Sequence, residues 1–484
     1  MLKYGAFISC LISMTFMHAA NADVRDCLDM TGRVVWPKDA QYNTARLVSN
    51  YYTSKNAFPK AIVYCQSTQD VQNAVKWARC QNAQVRVRSG GHNHEGFSTG
   101  SNALVIDVSE MKKIQIDKSN NIATVQAGIT GGELYRKLFK EGLTQVGGTC
   151  EDVGISGLIL TGGMGPLLRI YGLSCDSLLA LEIVDAEGQV LYVTPDNEHK
   201  DLFWASCGGG GNMGVVTSLT LKVVPAKSVT WFNIGWNWDQ PVEEIIQTSQ
   251  NLFLNDDNKW FSHLDLWAKA FPKDQYKKQP IKALGVYYGT PKQAKRDLAP
   301  LLKIGHPSEQ TIELVNWEKA IHMFEDATSV FITDKPEYKS SGAYAMKALP
   351  TDAINIIVNT LQNTPSPLLN VLFFSLGGAA AKKSPTDTAY FYRQARFFIV
   401  YSSQWLQPSN DLKQIREMDS LRQQLLRFGT QGDYLGNPDR NFKNYLTEYY
   451  GENAQRLRCI KKKYDPQNLF QHEQGIPPAT KNCQ

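Results

Sequence analysis

Past its N-terminal segment the sequence lacks any apolar run long enough to cross a bilayer, which takes roughly 20 consecutive residues, so no membrane span is expected. It lacks internal repeats and low-complexity stretches, which excludes a solenoid. Charge imbalance is also slight: 51 Lys and Arg stand against 46 Asp and Glu, a formal +5. That excess is too mild for a nucleic-acid partner, and the basic tract Lys461 to Lys463 reads as a solvated helix face. What the chain does have is size. Its 484 residues exceed what one hydrophobic core organises, so two domains or one composite fold are expected, with room for a cofactor and a substrate.

Lys3 precedes an apolar run from Ala6 to about Phe16, and Ala20 and Ala22 frame a small-residue cleavage site before Asp23. Residues 1–22 therefore read as a signal peptide, and the protein as exported, periplasmic or extracellular. Cys10 would leave with it. Cys27, Cys65, Cys80, Cys150, Cys175, Cys207, Cys459 and Cys483 would remain in an oxidising compartment. Spacing does not fix their connectivity; Cys27 with Cys80, which closes a helical stretch, is the first candidate bridge.

From Ala61 to Val87 the pattern is strand, helix, strand, with Val71, Ala74, Val75 and Ala78 at helical spacing. Short strands follow at Leu104 to Ile106, Ile122 to Val125, Leu181 to Val184 and Val215 to Val224. Between them lie Gly-rich turns and a helix starting near Gly132. After Pro225 the glycine clusters stop and aromatic alternating segments take over, such as Trp231 to Ile234, Leu264 to Trp267 and Val371 to Ser375, with helices around 290–303 and 411–428. This shift marks a second domain.

Arg88-Ser89-Gly90-Gly91-His92-Asn93 follows a strand directly, and its glycines allow a turn that brings backbone N–H groups toward a pyrophosphate. Further clusters occur at Gly147-Gly148-Thr149-Cys150, Gly162-Gly163-Met164-Gly165 and Gly208 to Gly214. The last holds a literal GxGxxG, but Val215 to Leu221 reads as a strand. The dinucleotide fingerprint needs a helix there, so the Rossmann interpretation fails. Glycine turns around short strands point instead to a large phosphate-bearing ligand threaded between strand ends.

Taken in order, Arg88 to His92, Gly148 to Gly154, Tyr171 to Asp176, Asp201 to Ala205 and the Gly208 to Gly214 loop resemble the FAD-binding domain of vanillyl-alcohol-oxidase-type flavoproteins. The tail, Tyr449 to Asn453 with Tyr464 to Phe470, is similar to the berberine-bridge-enzyme-like branch, and the matches run from about Ala61 to Pro478. The resemblance implies an α+β fold. A PCMH-type FAD-binding domain of two α/β subdomains would span 23–228, with its core at about 57–227. A substrate domain with an antiparallel sheet covered by helices would span 229–430, and segment 431–484 would return to the FAD domain. It further implies FAD bonded through His92 at the 8α carbon and through Cys150 at C6. The histidine that many doubly attached members carry is replaced here by Leu158. Arg88, Ser89, Gly90, Gly91, Asn93, Gly148, Thr149, Val153, Gly154, Gly157, Gly163, Gly214 and Val215 would complete the cofactor site, with no metal. Val153 stands where the family controls oxygen access, and valine there accompanies oxidases.

Carbohydrate oxidases of the branch carry Gln and Asp where this chain has Leu372 and Phe374, and a second Gln where it has Val400. A sugar would leave its hydroxyls unpaired there, so an apolar or aromatic alcohol or phenol is the expected substrate, with O2 as acceptor. The family's catalytic tyrosine is replaced by Asn437, and asparagine takes no proton. Tyr434, Tyr344, Tyr392 or Lys347 are the candidates in its stead. A sugar oxidase using Tyr287, Tyr288, Asn233 and Gln394, or a flavin-carrying interaction protein without turnover, are the alternatives. Oligomeric state is not legible.

Overall fold

The strand Ala61–Tyr64, the helix Thr68–Cys80 and the strand Val85–Arg88 form in sequence as their patterns require. Ser67 caps the helix in a reciprocal box with Asp70, satisfying backbone donors that the first turn leaves open. The helix buries Val71, Ala74, Val75 and Ala78 against the sheet. The computed structural model describes residues 27, 29–254, 258–328, 336–405, 411–480 and 483; the expected signal peptide lies outside them.

Three sheets make up the first part. In the first, Arg33–Val35 pairs antiparallel with Ala61–Tyr64, which runs parallel to Leu104–Asp107, as does Val85–Arg88. The second is antiparallel, in the order Ile114–Asp117, Ile122–Gln126, Val215–Lys222, Leu178–Val184, Val190–Val193. The segment expected as one strand from Val215 breaks after Lys222, and Val224–Pro225 pairs instead with Leu143–Thr144.

A seven-stranded antiparallel sheet follows, ordered Glu309–Val315, Val229–Trp236, Ile281–Tyr287, Trp260–Trp267, Leu369–Ser375, Phe397–Gln404, Tyr338–Ala345. One face packs Phe232, Ile234, Leu264 and Ile399 against the helices Val242–Phe253, Thr351–Asn363 and Asp411–Leu426. The other turns Trp231, Phe261, Val286, Tyr344 and Phe398 into the core shared with the first part. The helical stretch expected at 290–303 is two short helices, Pro291–Asp297 and Ala299–Leu302.

The C-terminal helix Ala454–Tyr464 returns to the first sheet, where Val85 donates its N–H to Leu469 O at 3.0 Å. One expectation fails here. Lys461 is wholly buried, donating to Asp465 Oδ2, Asn212 O and Phe470 O, each at 2.6 Å. The other two lysines of the tract are the solvated ones, because the helix face that carries Lys461 packs on the glycine loop it braces.

Cys27–Cys80, Cys175–Cys207 and Cys459–Cys483 are disulfides, while Cys65 is buried and free and Cys150 exposed and free. No helix among the described residues is long and apolar enough to cross a membrane.

Candidate active site

The strand Val85–Arg88 runs into the turn Ser89 to His92, whose neighbour is the turn Cys150 to Gly154. A Cβ on Gly90 would lie 2.4 Å from Gly154 N. Only glycine therefore permits the approach that sets His92 and Cys150 on the wall of one cleft. Ser89 Oγ donates to Ala127 O at 2.8 Å and holds the first turn, while Gly131 N–H donates to Val153 O at 2.9 Å and holds the second. The loop Gly208 to Gly214 closes the cleft from a third side. Gly210 N–H donates to Leu160 O at 2.9 Å, and Cys207 within the disulfide anchors the start of the loop.

The cleft holds about 450 Å³, within the range of small-molecule and cofactor sites. Ser89, Gly90, Gly91, His92, Asn93, Cys150, Val153, Gly154, Gly157 and Gly214 line it. The remaining expected cofactor residues stand behind its walls. Arg88 is buried in an ion pair with Asp107, its neighbour across the parallel strands, so its charge is spent inside the sheet. Gly148 O accepts from Tyr135 Oη at 2.7 Å, Thr149 is half-buried beside Cys150, and Val215 is a fully buried strand residue paired with Val184. Gly163 gives its N–H to Tyr434 Oη at 3.1 Å.

Arg86, which the sequence reading passed over in favour of Arg88, does line the cleft. It is buried, with Nε and Nη1 unpartnered, and Ser98 Oγ beside the cleft is also unpartnered. Arg86 Nη2 lies 3.6 Å from Glu473 Oε2, but the two open donors stay costly unless an acceptor meets them, and a pyrophosphate-bearing group such as FAD fits that demand. The alternation Val85-Arg86-Val87-Arg88 carried the signal, but not which arginine points at the ligand.

His92 Nε2 lies 3.1 Å from Asp152 Oδ2, and this hydrogen bond holds the Asp152 carboxyl below its usual range. Cys150 opens onto the cleft, yet the surrounding protein, with Asp152 and Glu325 nearby, pushes its thiol up to about 11. The thiolate fraction at neutral pH is then about a hundredfold below that of a free cysteine. Alkylation of Cys150 by iodoacetamide in the flavin-free protein should accordingly keep rising with pH to about 11; a plateau near pH 9 would contradict this.

Tyr434 lines the cleft, but Tyr344 and Tyr392 do not: they stack on one another at 4.4 Å, with Tyr344 Oη on Tyr390 Oη and Tyr392 Oη on Thr447 O. Both are core rings, as their apolar strand and turn surroundings dictate. Lys347 is exposed. Burial lifts the Tyr434 phenol above its usual value although Thr161 and the Gly163 N–H partly offset this, so it stands as a neutral hydrogen-bonding group. Asn437 is buried, accepting from Ser340 Oγ at 2.8 Å, and His94 Nδ1 contacts the same hydroxyl at 2.7 Å. Burial holds His94 down at about 4.

Glu325, on the helix Trp317–Thr328, also reaches the cleft and was not legible as a site residue. Burial and the neighbouring Glu151 and Asp152 raise its carboxyl. Leu372, Phe374 and Val400 are each half-buried on one face of the seven-stranded sheet, Leu372 paired with Val400. Phe374 and Val400 pack toward the core shared with the first part.

Residues 59–194 match the family model for an FAD binding domain, and 433–477 match the one for berberine and berberine-like proteins. An uncharacterized FAD-linked oxidoreductase of Bacillus subtilis, YgaK, is 40% identical over 457 residues, 94% of this chain and 98% of its own. The (R)-6-hydroxynicotine oxidase of Paenarthrobacter nicotinovorans is 28% identical, covering 93% and 98%, and a chitooligosaccharide oxidase of Gibberella zeae is 27% identical, covering 93% and 92%. Among solved structures, the BBE-like 1 protein of Physcomitrella patens superposes with a TM-score of 0.85 at 26% identity, covering 93% of this chain and 98% of that one. Fold and cleft together thus define an FAD-dependent oxidoreductase acting on a small molecule. The chain belongs to the berberine-bridge-enzyme-like family.

Proposed function

We propose that the protein is an exported oxidase that holds FAD covalently through His92 and Cys150, takes a hydride from a small apolar or aromatic alcohol or phenol, and passes the electrons to O2. The observation that carries the reading is the meeting of the His92 and Cys150 turns on one cleft wall. Bound there, FAD supplies hydride acceptance; the protein supplies position and a proton acceptor. Val153 on the cleft wall supports O2 as the acceptor, and three disulfides among the described residues support an oxidising compartment.

For the proton, Glu325 is the group we assign. It lines the cleft and its raised carboxyl brings it nearer the working range of a general base; Asp152 is engaged by His92 and Tyr434 is a neutral phenol. Leu372, Phe374 and Val400 do not line the cleft, and they support a substrate with little to hydrogen-bond only in offering no polar group on their face of the sheet. A sugar substrate is favoured by the likeness to the chitooligosaccharide oxidase. The polar groups expected to serve it are otherwise engaged, however: Tyr287 with Asp297, Tyr288 with Pro166 O, Asn233 with Glu309 and Gln394 with Ala381 O. Release of H2O2 from a panel of phenols, benzylic alcohols and oligosaccharides separates the two.

Acid-denatured wild type should carry the added mass of FAD. The single variants His92→Ala and Cys150→Ala should each retain it, and the double variant should carry none. Flavin that is released by denaturing the wild type would refute covalent attachment.

A further inference from the structure

We propose that His322 is a positioning residue for Glu325, acting through a clasp with Glu151 that fixes the helix Trp317–Thr328 against the Cys150 turn. This rests on the reading of Glu325 as the base. The helix belongs to the part of the fold built on the seven-stranded sheet, and the turn it meets belongs to the first part. Ala320, Ile321 and Phe324 bury the apolar side of the helix, but apolar contact is non-directional and leaves rotation and slide of the helix loosely set. His322 stands one turn before Glu325 on the same side, and its Nδ1 lies 2.6 Å from Glu151 Oε1. A carboxylate only accepts, so Nδ1 carries the proton, and a neutral imidazole suffices for this bond.

Glu151 is held firmly enough to serve as the anchor. Its other oxygen, Oε2, accepts from Arg136 Nη1 at 2.9 Å, and its backbone carbonyl accepts from Gly132 N–H at 2.8 Å. Gly132 and Arg136 both lie on the helix Gly131–Lys140. A Cβ on Gly132 would come within 2.6 Å of Glu151 Oε2, so the glycine makes the seat, and the carboxylate rests over the first turn, where the helix dipole favours negative charge. The Glu151 side chain is 20% exposed against 53% for His322: the turn is the fixed side, and the helix is what the clasp restrains. Glu325 thereby comes to lie near Cys150, where its charge adds to burial and Asp152 in holding the thiol up. Cys150 therefore reports the place of Glu325 with neither substrate nor flavin.

Flavin-free full-length protein from riboflavin-limited cells is treated with iodoacetamide at about pH 8, and labelling of Cys150 is followed by peptide mass in a double-mutant cycle. Glu325→Gln should speed labelling about threefold, the effect of one charge several ångströms away through water. In the His322→Ala background the same change should speed it by less than about 1.5-fold, because a released Glu325 no longer sits at the turn. His322→Asn puts an amide N–H close to the place of Nδ1 and costs the helix about what histidine does, so it should return the factor to at least about twofold. A residue that merely fills space would give one factor in all three backgrounds. An equal factor in the alanine background, an asparagine variant as weak as the alanine one, or no acceleration in the wild-type background would each overturn the proposal. Loss of the pH limb of flavin reduction in Glu325→Gln judges the base reading by itself, so a failed clasp and a failed base are told apart.

Discussion

Glu325→Gln is expected to slow reduction of the bound flavin by about 10²–10⁴-fold, the usual contribution of a positioned base, without lowering FAD content. The glutamine is nearly isosteric with the glutamate, so the helix Trp317–Thr328 should stay in place. What it loses is the ability to take a proton. The wild-type rate of reduction should rise with pH through a value above the ordinary carboxylate range, because burial, then Glu151, raises this carboxyl and only its ionised form accepts a proton. In the glutamine variant that limb should be gone. Anaerobic stopped-flow at several pH values reads both quantities, and a variant within tenfold of wild type with its pH limb intact would remove Glu325 from the reaction. The same substitution carries a signature independent of turnover. Glu325 is one of the charges that hold the Cys150 thiol up, so neutralising it should speed Cys150 alkylation at fixed pH.

How far the sequence disclosed this site depended on what each residue's signal was. His92 and Cys150 are carried by glycine turns, and glycine at a close backbone approach leaves a pattern that survives without any structure. The strand after Gly214 was equally legible, because β-branched residues from Val215 onward contradicted the helix that a dinucleotide fingerprint demands. Arg86 against Arg88 was not legible. Two arginines two apart on one strand share a face, and which one pairs within the sheet depends on the parallel register that sets Arg88 beside Asp107. Glu325 was missed for a different reason: it lies on an amphipathic helix whose sequence explains itself as packing, with Phe324 buried beside Trp231 at 4.9 Å. Nothing local says that the helix end meets a turn far earlier in the chain. Tyr344 and Tyr392 erred in the opposite direction, since a tyrosine on a buried strand and one on a core turn have the composition of site residues but the surroundings of a core. Lys461 shows the same limit for charge, where a basic tract at a helix end gave no hint that one member is enclosed by Asp465 and two carbonyls.

Lys339→Met should destabilise the protein by about 3 kcal/mol, the lower end of what breaking a buried ion pair costs. Lys339 lies on the strand Tyr338–Ala345 with its side chain 6% exposed, pairing with Glu95 and, at 2.6 Å, with Asp439 Oδ1. The three residues belong to the turn after His92, the seven-stranded sheet and the C-terminal segment, so one ammonium group ties all three parts together behind the cleft. Methionine keeps the volume and removes the charge. Glu95 retains Arg440 at 3.1 Å, but Asp439 loses its cation while its side chain stays 2% exposed, and that stranded carboxylate is the main penalty. Adding Asp439→Asn should therefore restore at least half of the loss, a coupling that chemical denaturation of the two single and one double variant measures directly. Additive losses would show that the network is dispensable. The pH dependence has a fixed sign. Burial acts to lower the lysine, but Asp439 and Glu95 outweigh it and hold it above its ordinary value. The group then stabilises the fold fully below the unfolded lysine range near 10.4, and the advantage over methionine fades only as pH climbs through the raised folded value. The difference between wild type and variant should be flat from neutral pH to about 10 and close above it. A gap that widens as pH rises toward neutrality would instead place the sensitivity on Asp419, whose carboxyl burial and Asp439 lift to about 6 and which Lys339 acts to lower.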